Sequence, residues 1–500
     1  MISKRNIKSI PMVFLSCVCI ALAILLPRWR QDALAICYQQ STEAALSTEA
    51  AMRSLCPQLL KAQGLLASPG ATGDLARRCR AMFGGTPGTP GTPGTPAIPG
   101  TSDTPGTPAI PGTPAIPGTP GTKDRQAALC AFDQIAHEEV ATEGSNSIEG
   151  SSTQFANINA RLAALQRGTG SSPFIKMELN QPEEFGTRFA SLDPDAVTSD
   201  RNKEEPLLLS KKLGFFVNGS LNMGDKDRTS RESGFDFDTK GIAGGLDYRF
   251  TDNFYLGMAT GFARTDSDLQ SSNDSVDTNA YIGSLYGTYF TEHFYIGGIM
   301  SHSWLDMDTV RHVVYSIPDK GEDVNQAFKS DPDGTELSSS IGGGYTWNHG
   351  GLTLNPYLRA EKIEVDIDRY REKADHMSNG FGLALVIEDQ DVHSVTTALG
   401  AQASYAISTQ WGIFQPHVSA EWLHEYSNDS RDITARFVSD PTRTAFGVPT
   451  ERPDRDYVNL GLGMSTVFTK GKSAFISYEP VLGLDDVTSH RITGGVRFEF

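Results

Sequence analysis

Six cysteines are the side chains whose spacing most directly suggests covalent chemistry in this 500-residue chain. Cys17 and Cys19 fall inside an apolar N-terminal run, whereas Cys37, Cys56, Cys79 and Cys130 lie too far apart for a metal-binding quartet. Four cysteines in a chain bound for an oxidising compartment suit disulfides. A continuous helix over 38–63 would hold Cys37 and Cys56 roughly 28 Å apart, which is beyond disulfide reach. A hairpin around Pro69 brings Cys56 to Cys79 and leaves Cys37 to pair with Cys130. Catalytic signatures are missing: there is no G-x-S-x-G elbow, H-E-x-x-H helix or Walker loop, and the chain reads as a non-enzyme with no cofactor. The stretch Asp331-Pro332-Asp333-Gly334-Thr335-Glu336 has the composition of a calcium loop without its further ligands, and reads as a solvated loop. A net charge of −17 disfavours nucleic acid as a partner; acidic loops would instead suit divalent ions bridging to lipopolysaccharide.

The route of the chain is written at its two ends. Lys4, Arg5 and Lys8 precede the apolar run 10–26, and Ala33-Leu34-Ala35 offers a signal-peptidase site, so residues 1–35 read as a signal peptide with an uncleaved inner-membrane anchor as the alternative. At the other end, Ile492, Val496 and Phe498 share one face of an extended strand with the terminal Phe500, while Thr493, Arg497 and Glu499 share the other. The pattern Thr493, Gly495, Phe498, Phe500 resembles the assembly signal of bacterial outer-membrane proteins. That resemblance implies periplasmic chaperones and the barrel-assembly machinery as partners.

Alternation of this kind repeats upstream. Twelve segments, near 211–223, 237–250, 254–266, 277–290, 294–306, 335–347, 351–364, 391–405, 411–426, 455–468, 473–482 and 488–500, read as antiparallel strands. Phe254, Leu256, Met258 and Phe262 face one way and Gly257, Ala259, Gly261 and Ala263 the other, so one face is apolar and the other small. Short turns at 251–253, 291–293, 348–350, 408–410 and 470–472 alternate with long acidic excursions near 267–276, 307–334, 365–390 and 427–454. No apolar run of helical membrane-spanning length occurs in this half, so the fold class is an all-β transmembrane barrel of twelve antiparallel strands over 206–500, monomeric. A soluble sandwich would space its turns more evenly.

Ahead of the barrel the composition divides the chain. Residues 36–84 are rich in helix formers, with Asp74 placed to cap a second helix. Residues 85–122 repeat TPG and TPAIPG units. Ala97, Asp103, Ala109 and Ala115 interrupt the glycine period; this disfavours a trimeric collagen stalk and predicts a polyproline spacer of roughly 110 Å. Residues 123–170 return to helical spacing, and 171–205 read as a flexible connection.

The run Thr153-Gln154-Phe155-Ala156-Asn157-Ile158-Asn159-Ala160-Arg161-Leu162-Ala163-Ala164-Leu165 resembles the linker helix before the translocator barrel of monomeric autotransporters of type V secretion. The segments Phe215–Ser220, Phe235–Gly241 and Gly245–Phe250 are similar to the first hairpin of that family. The resemblance covers about residues 150–500. It implies a barrel in the bacterial outer membrane, a linker helix in its pore that carries Asn157, Arg161 and Leu162, and an exported segment at the cell surface with an adhesive or envelope role. Arg161 and Arg167 would meet inward acids such as Asp247 or Glu499, and Asn157 and Asn159 sit where some family members cut themselves. Only about 115 residues precede the linker helix, far fewer than the family's usual passengers. A pore or envelope barrel with a periplasmic front end is the competing reading.

Overall fold

The computed structural model describes residues 42–62, 64–83, 122–166, 212–270, 272–317, 322–468 and 472–499. The signal-peptide segment, Cys37, the spacer 85–121, Arg167, the connection 171–205 and Phe500 lie outside the described residues. Twelve strands form a closed antiparallel barrel: β1 (Leu213–Lys226), β2 (Phe235–Thr251), β3 (Phe254–Leu269), β4 (Ser275–Phe290), β5 (Phe294–Ile317), β6 (Asp333–Tyr345), β7 (Leu352–Ile367), β8 (Gln390–Tyr405), β9 (Gly412–Glu425), β10 (Asp456–Phe468), β11 (Lys472–Leu482) and β12 (Val487–Glu499). Each pairs with its sequence neighbours, and β12 closes on β1 with Val496 opposite Val217. Closure leaves no strand edge unpaired, which is the condition for crossing lipid with strands.

Side-chain alternation decides which face meets lipid. On β3, Leu256 and Met258 are exposed outward while Tyr255, Ala259 and Ala263 are buried inward. Several inward glycines sit under an aromatic ring of the adjacent strand: Phe216 lies over Gly245, Tyr286 over Gly257 and Tyr357 over Gly400. A β-carbon at any of these glycines would collide with the ring, so the small inner residues are sockets for neighbouring aromatics as well as empty space. Outward aromatics form two belts. Phe250, Phe254, Tyr289 and Phe294 lie toward the short turns; Phe262, Tyr281 and Trp304 are register neighbours toward the long loops. Eight positions on β3 separate the belts, about 26 Å of strand. Strand tilt reduces this to about 20 Å of height, near the apolar thickness of such barrels. Two outward positions beyond the upper belt, Asp238, Asp266, Asp277 and Asp308 form a direct cross-strand row over four strands, with Arg264 of the row between reaching Asp266 and Asp277 at 2.5 and 3.0 Å.

The long connections are built rather than open. β5 runs past the belt and pairs with a strand at Glu322–Ser330, and a second hairpin pairs Asp432–Phe437 with Ala445–Pro449. On these elements sits a helical cap: α1 (Glu43–Lys61), α2 (Ala71–Phe83) and α3 (Thr122–Ile135). Thr42 caps α1 by accepting the Ala45 amide, 3.2 Å, and the Cys56–Cys79 disulfide ties α1 to α2. Met52, Leu55, Leu75, Phe132 and Ile135 share one apolar core with Val313, Phe328, Leu385, Phe437 and Val448 of the loops.

Two sequence readings change here. Asp74 does not cap the second helix, which begins at Ala71; it is buried within the first turn, where its Oδ2 accepts the Gly382 amide at 3.0 Å and Arg78 lies 3.3 Å from Oδ1. The Asp331–Glu336 stretch is not a solvated loop throughout: β6 begins at Asp333, and Glu336 is buried inside the barrel. The flanks of the spacer, moreover, do not stand apart. Phe83 and Phe132 rings lie 5.6 Å apart, so the chain leaves and re-enters the same core.

Candidate functional site: the lumen and its helix

A fourth helix, α4 (Val140–Gln166), occupies the lumen. Its 27 residues span about 40 Å, enough to thread the wall from the long-loop end to the short-turn end. It is longer than the linker run recognised in the sequence, because Gly144 and Gly150 are carried by packing against the wall rather than by helix propensity. Thr153 and Gln154 approach the backbone of β2 and β3 where Gly241 and Gly261 leave room for no side chain of their own.

Polar contacts fix the helix in register. Arg161 forks onto Asp247 of β2, Nε to Oδ2 and Nη2 to Oδ1, both 2.6 Å. Tyr286 donates to the same Oδ2 at 3.0 Å, and the guanidinium carbon stands 5.6 Å from the centre of the Phe216 ring. Both ends of the pair are buried. Gly214 lies against this fork, where a β-carbon would strike Arg161 and Asp247. Asn157 donates to Ser220, 3.2 Å, and its carbonyl accepts from Asn218, 2.7 Å. Asn146 donates to the Val276 carbonyl at 3.2 Å, Gln154 to Ser284 at 3.0 Å, and Ser151 bonds Glu336. Leu162 packs into the apolar cluster of the wall with Phe155 and Ile158. Asn159 faces the open side of the lumen.

That open side is a cavity of about 2950 Å³. Its lining runs from Glu292, Asn348 and Gln410 at the short turns to Asp429, Glu451 and Asp485 at the long loops. Midway, Arg359 lies 3.2 Å from Glu421, and Arg491 reaches Glu149 of the helix at 3.0 Å.

The assembly-signal residues close the wall. Thr493 faces inward and is buried, and Gly495 lies opposite Asn218 of β1 with Phe475 beside it, where a β-carbon would collide with both. The Phe498 backbone pairs with Phe215 and Lys472. Of the cysteines, Cys56 and Cys79 are bonded, and Cys130 lies half-buried on α3.

One cluster left no clear trace in the sequence. Between α3 and α4, His137, Glu138 and Glu139 are all buried. His137 Nδ1 lies 2.6 Å from Glu139, while Arg311 grips Glu372 through Nε and Nη2 at 2.7 and 2.6 Å. Glu138 bonds the hydroxyls of Thr42 and Ser233. Burial pushes the Glu138 carboxyl up to about 7 against those hydroxyl donors, and burial likewise raises Glu139. Burial works against the His137 imidazolium, but the Glu139 and Glu372 carboxylates together hold the group above its ordinary value. Glu372 is held low by Arg311 although burial opposes this. The two adjacent acids of the sequence were the only available signal, and a charged pair between helices is usually solvated.

Comparison with known proteins agrees on the barrel. Residues 215–479 match the family model described as the autotransporter β-domain. Among curated proteins, esterase EstA of Pseudomonas aeruginosa is 24% identical over 282 residues, covering 54% of this chain and 40% of that protein. An extracellular serine protease of Serratia marcescens is 24% identical over 251 residues, covering 49% and 22%. The chain spans less than half the length of these relatives. Among solved structures, the translocator domain of autotransporter NalP from Neisseria meningitidis aligns with 13% identity and a TM-score of 0.45, covering 58% of this chain and 89% of that one. The transport unit of AIDA-I from Escherichia coli aligns with 16% identity and a TM-score of 0.36, covering 63% and 97%.

Proposed function

The chain belongs to the autotransporter β-domain family and its barrel is an outer-membrane domain, and from this premise we propose that it exports its own short N-terminal region, which then folds as a lid over the exterior mouth. The observation that carries the reading is the shared core between α1–α3 and the long loops. Long loops of such barrels face outward and short turns face the periplasm, so a module built on long loops belongs outside. A lid of three helices has an apolar core but no assembled catalytic set among the described residues, and the proposed role is non-enzymatic: adhesion or envelope contact at the surface. Periplasmic chaperones and the barrel-assembly machinery are the proposed partners on the way, and lipopolysaccharide the partner on arrival. The aspartate row above the upper aromatic belt, which Lys240 and Arg264 neutralise only in part at Asp266 and Asp277, supports the last of these, since divalent ions could bridge its remaining charge to anionic head groups.

A tag inserted at the exposed Gly70 tests export. Intact cells should be labelled as strongly as cells with a permeabilised outer membrane; labelling only after permeabilisation would refute the reading. The cavity beside α4 favours a second function, a narrow pore, which single-channel conductance of the purified protein would detect.

A further inference from the structure

The junction between α3 and α4 gathers ionisable groups that export does not require. It stands at the barrel mouth where cap, loop and lumen helix meet. From the lumen side, Arg311 of β5 holds Glu372, lies 3.5 Å from Glu139, and donates to the carbonyls of Ile135 and Leu383. Tyr370 lies 3.3 Å from His137 Nε2 and donates to Glu143 at 2.5 Å, and Gln390 donates to the other Glu143 oxygen at 2.8 Å. Asp274 faces the same cluster from the β3–β4 connection. From the cap side, Glu138 joins Thr42 at the head of α1 to Ser233 of the β1–β2 connection, with Asp133 and Arg228 facing it, themselves 3.3 Å apart. The inner group comprises three carboxyl groups, Glu139, Glu143 and Glu372, with one guanidinium and one imidazole. It is neutral when His137 carries both ring protons and one carboxyl is protonated, and each proton lost from that state leaves a buried negative charge. Burying that charge without a partner is costly.

We propose that this junction is a proton-operated latch: the cap is seated on the barrel mouth while His137 and Glu138 are protonated, and it loosens when they lose their protons. The direction follows from linkage. A group whose value is raised in the folded state gives stability that is complete below its unfolded value and lost as pH rises through the folded one. For Glu138 the loss runs from about 4.5 to about 7, and for His137 it begins near 6.5 and continues above it. Glu139, raised by burial, and Glu143, pushed up by burial to about 7, act in the same direction. Glu372 is lowered, so its contribution is lost only in acid and leaves the neutral window unaffected. His137, Glu139 and Glu372 offer ligand atoms within 4.8 Å of one another. A cation there would nevertheless compete with Arg311, and Glu372 Oε2 already accepts the Leu385 amide at 2.7 Å.

Hydrogen exchange of the full-length protein in lipid vesicles, corrected for intrinsic rates from pH 5 to 8.5, tests the latch whichever side of the membrane the cap occupies. Protection across 43–61 and 71–83 should fall at least tenfold as pH rises, with β3 unchanged. His137→Gln should show weak cap protection at every pH. Glu138→Gln should shrink the part of the fall below pH 7; that variant and the wild-type profile decide the matter even where His137→Gln does not fold. Cap protection that is flat or increases with pH would overturn the latch. So would a gain in protection on adding zinc that a chelator reverses, because the three side chains would then form a metal site.

Discussion

The lumen helix runs the length of the barrel and the cap sits on its long-loop end, and the two are held by different balances of polar and apolar contact. α4 meets the wall through aimed polar groups, with Arg161 on Asp247, Asn157 on Ser220 and Gln154 on Ser284, set among sockets left by glycine. The cap meets the loops through a continuous apolar core whose members come from three helices, two accessory hairpins and the 370–387 segment. Directional bonds fix a register and fail singly; an apolar core tolerates rearrangement and fails by degrees. The helix should therefore be sensitive to single charges, and the cap to volume.

The largest expected effect breaks the first half of that contrast. Arg161→Ala leaves Asp247 buried without its partner and should cost about 3–5 kcal/mol. Heat-modified migration of the purified barrel should reveal it as a lower unfolding temperature, and Arg161→Ala combined with Asp247→Ala should recover much of the loss. Leu55→Ala, at a fully buried cap position, should cost about 2–5 kcal/mol in the cap alone. Protease cleavage of 43–83 with an unchanged barrel melt would show that the two layers respond separately; a matching drop in both would merge them. Cys56→Ser with Cys79→Ser removes a link closing 23 residues and should cost about 3 kcal/mol of cap stability, read by the same protease assay. The smallest effect concerns the surface. Asp308→Asn relieves the like charge opposite Asp277 without touching the Arg264 pairs of Asp277 and Asp266, and should stabilise the barrel by about 0.2–1 kcal/mol, a gain that added magnesium should diminish.

The strands were the most legible part. Each carries its own period of two, and Gly245 or Met258 declares its face without reference to any distant residue. Arg161 could be assigned an inward acid with Asp247 and Glu499 as alternatives, and only the structure selects Asp247, in a bidentate geometry that depends on Gly214. The cap was legible only as helices. Its docking pairs Leu55 and Leu75 with Phe437 and Val448, more than 350 residues downstream, and the loops that receive it read in sequence as acidic excursions. Residues 322–330, 432–437 and 445–449 do alternate, but in segments too short to stand out from turn composition.

By itself, then, the sequence determined a twelve-strand outer-membrane barrel with a helix before it, because local periodicity and the demand that backbone groups be satisfied in lipid leave few other solutions. Only the tertiary structure decided that the N-terminal helices return to the barrel and pack on its long loops, and that His137, Glu138, Glu139, Arg311 and Glu372 meet where those helices join the lumen helix. The reason is physical: apolar burial is non-directional, so no local pattern names its partner, and a charge becomes buried only when several distant elements close around it.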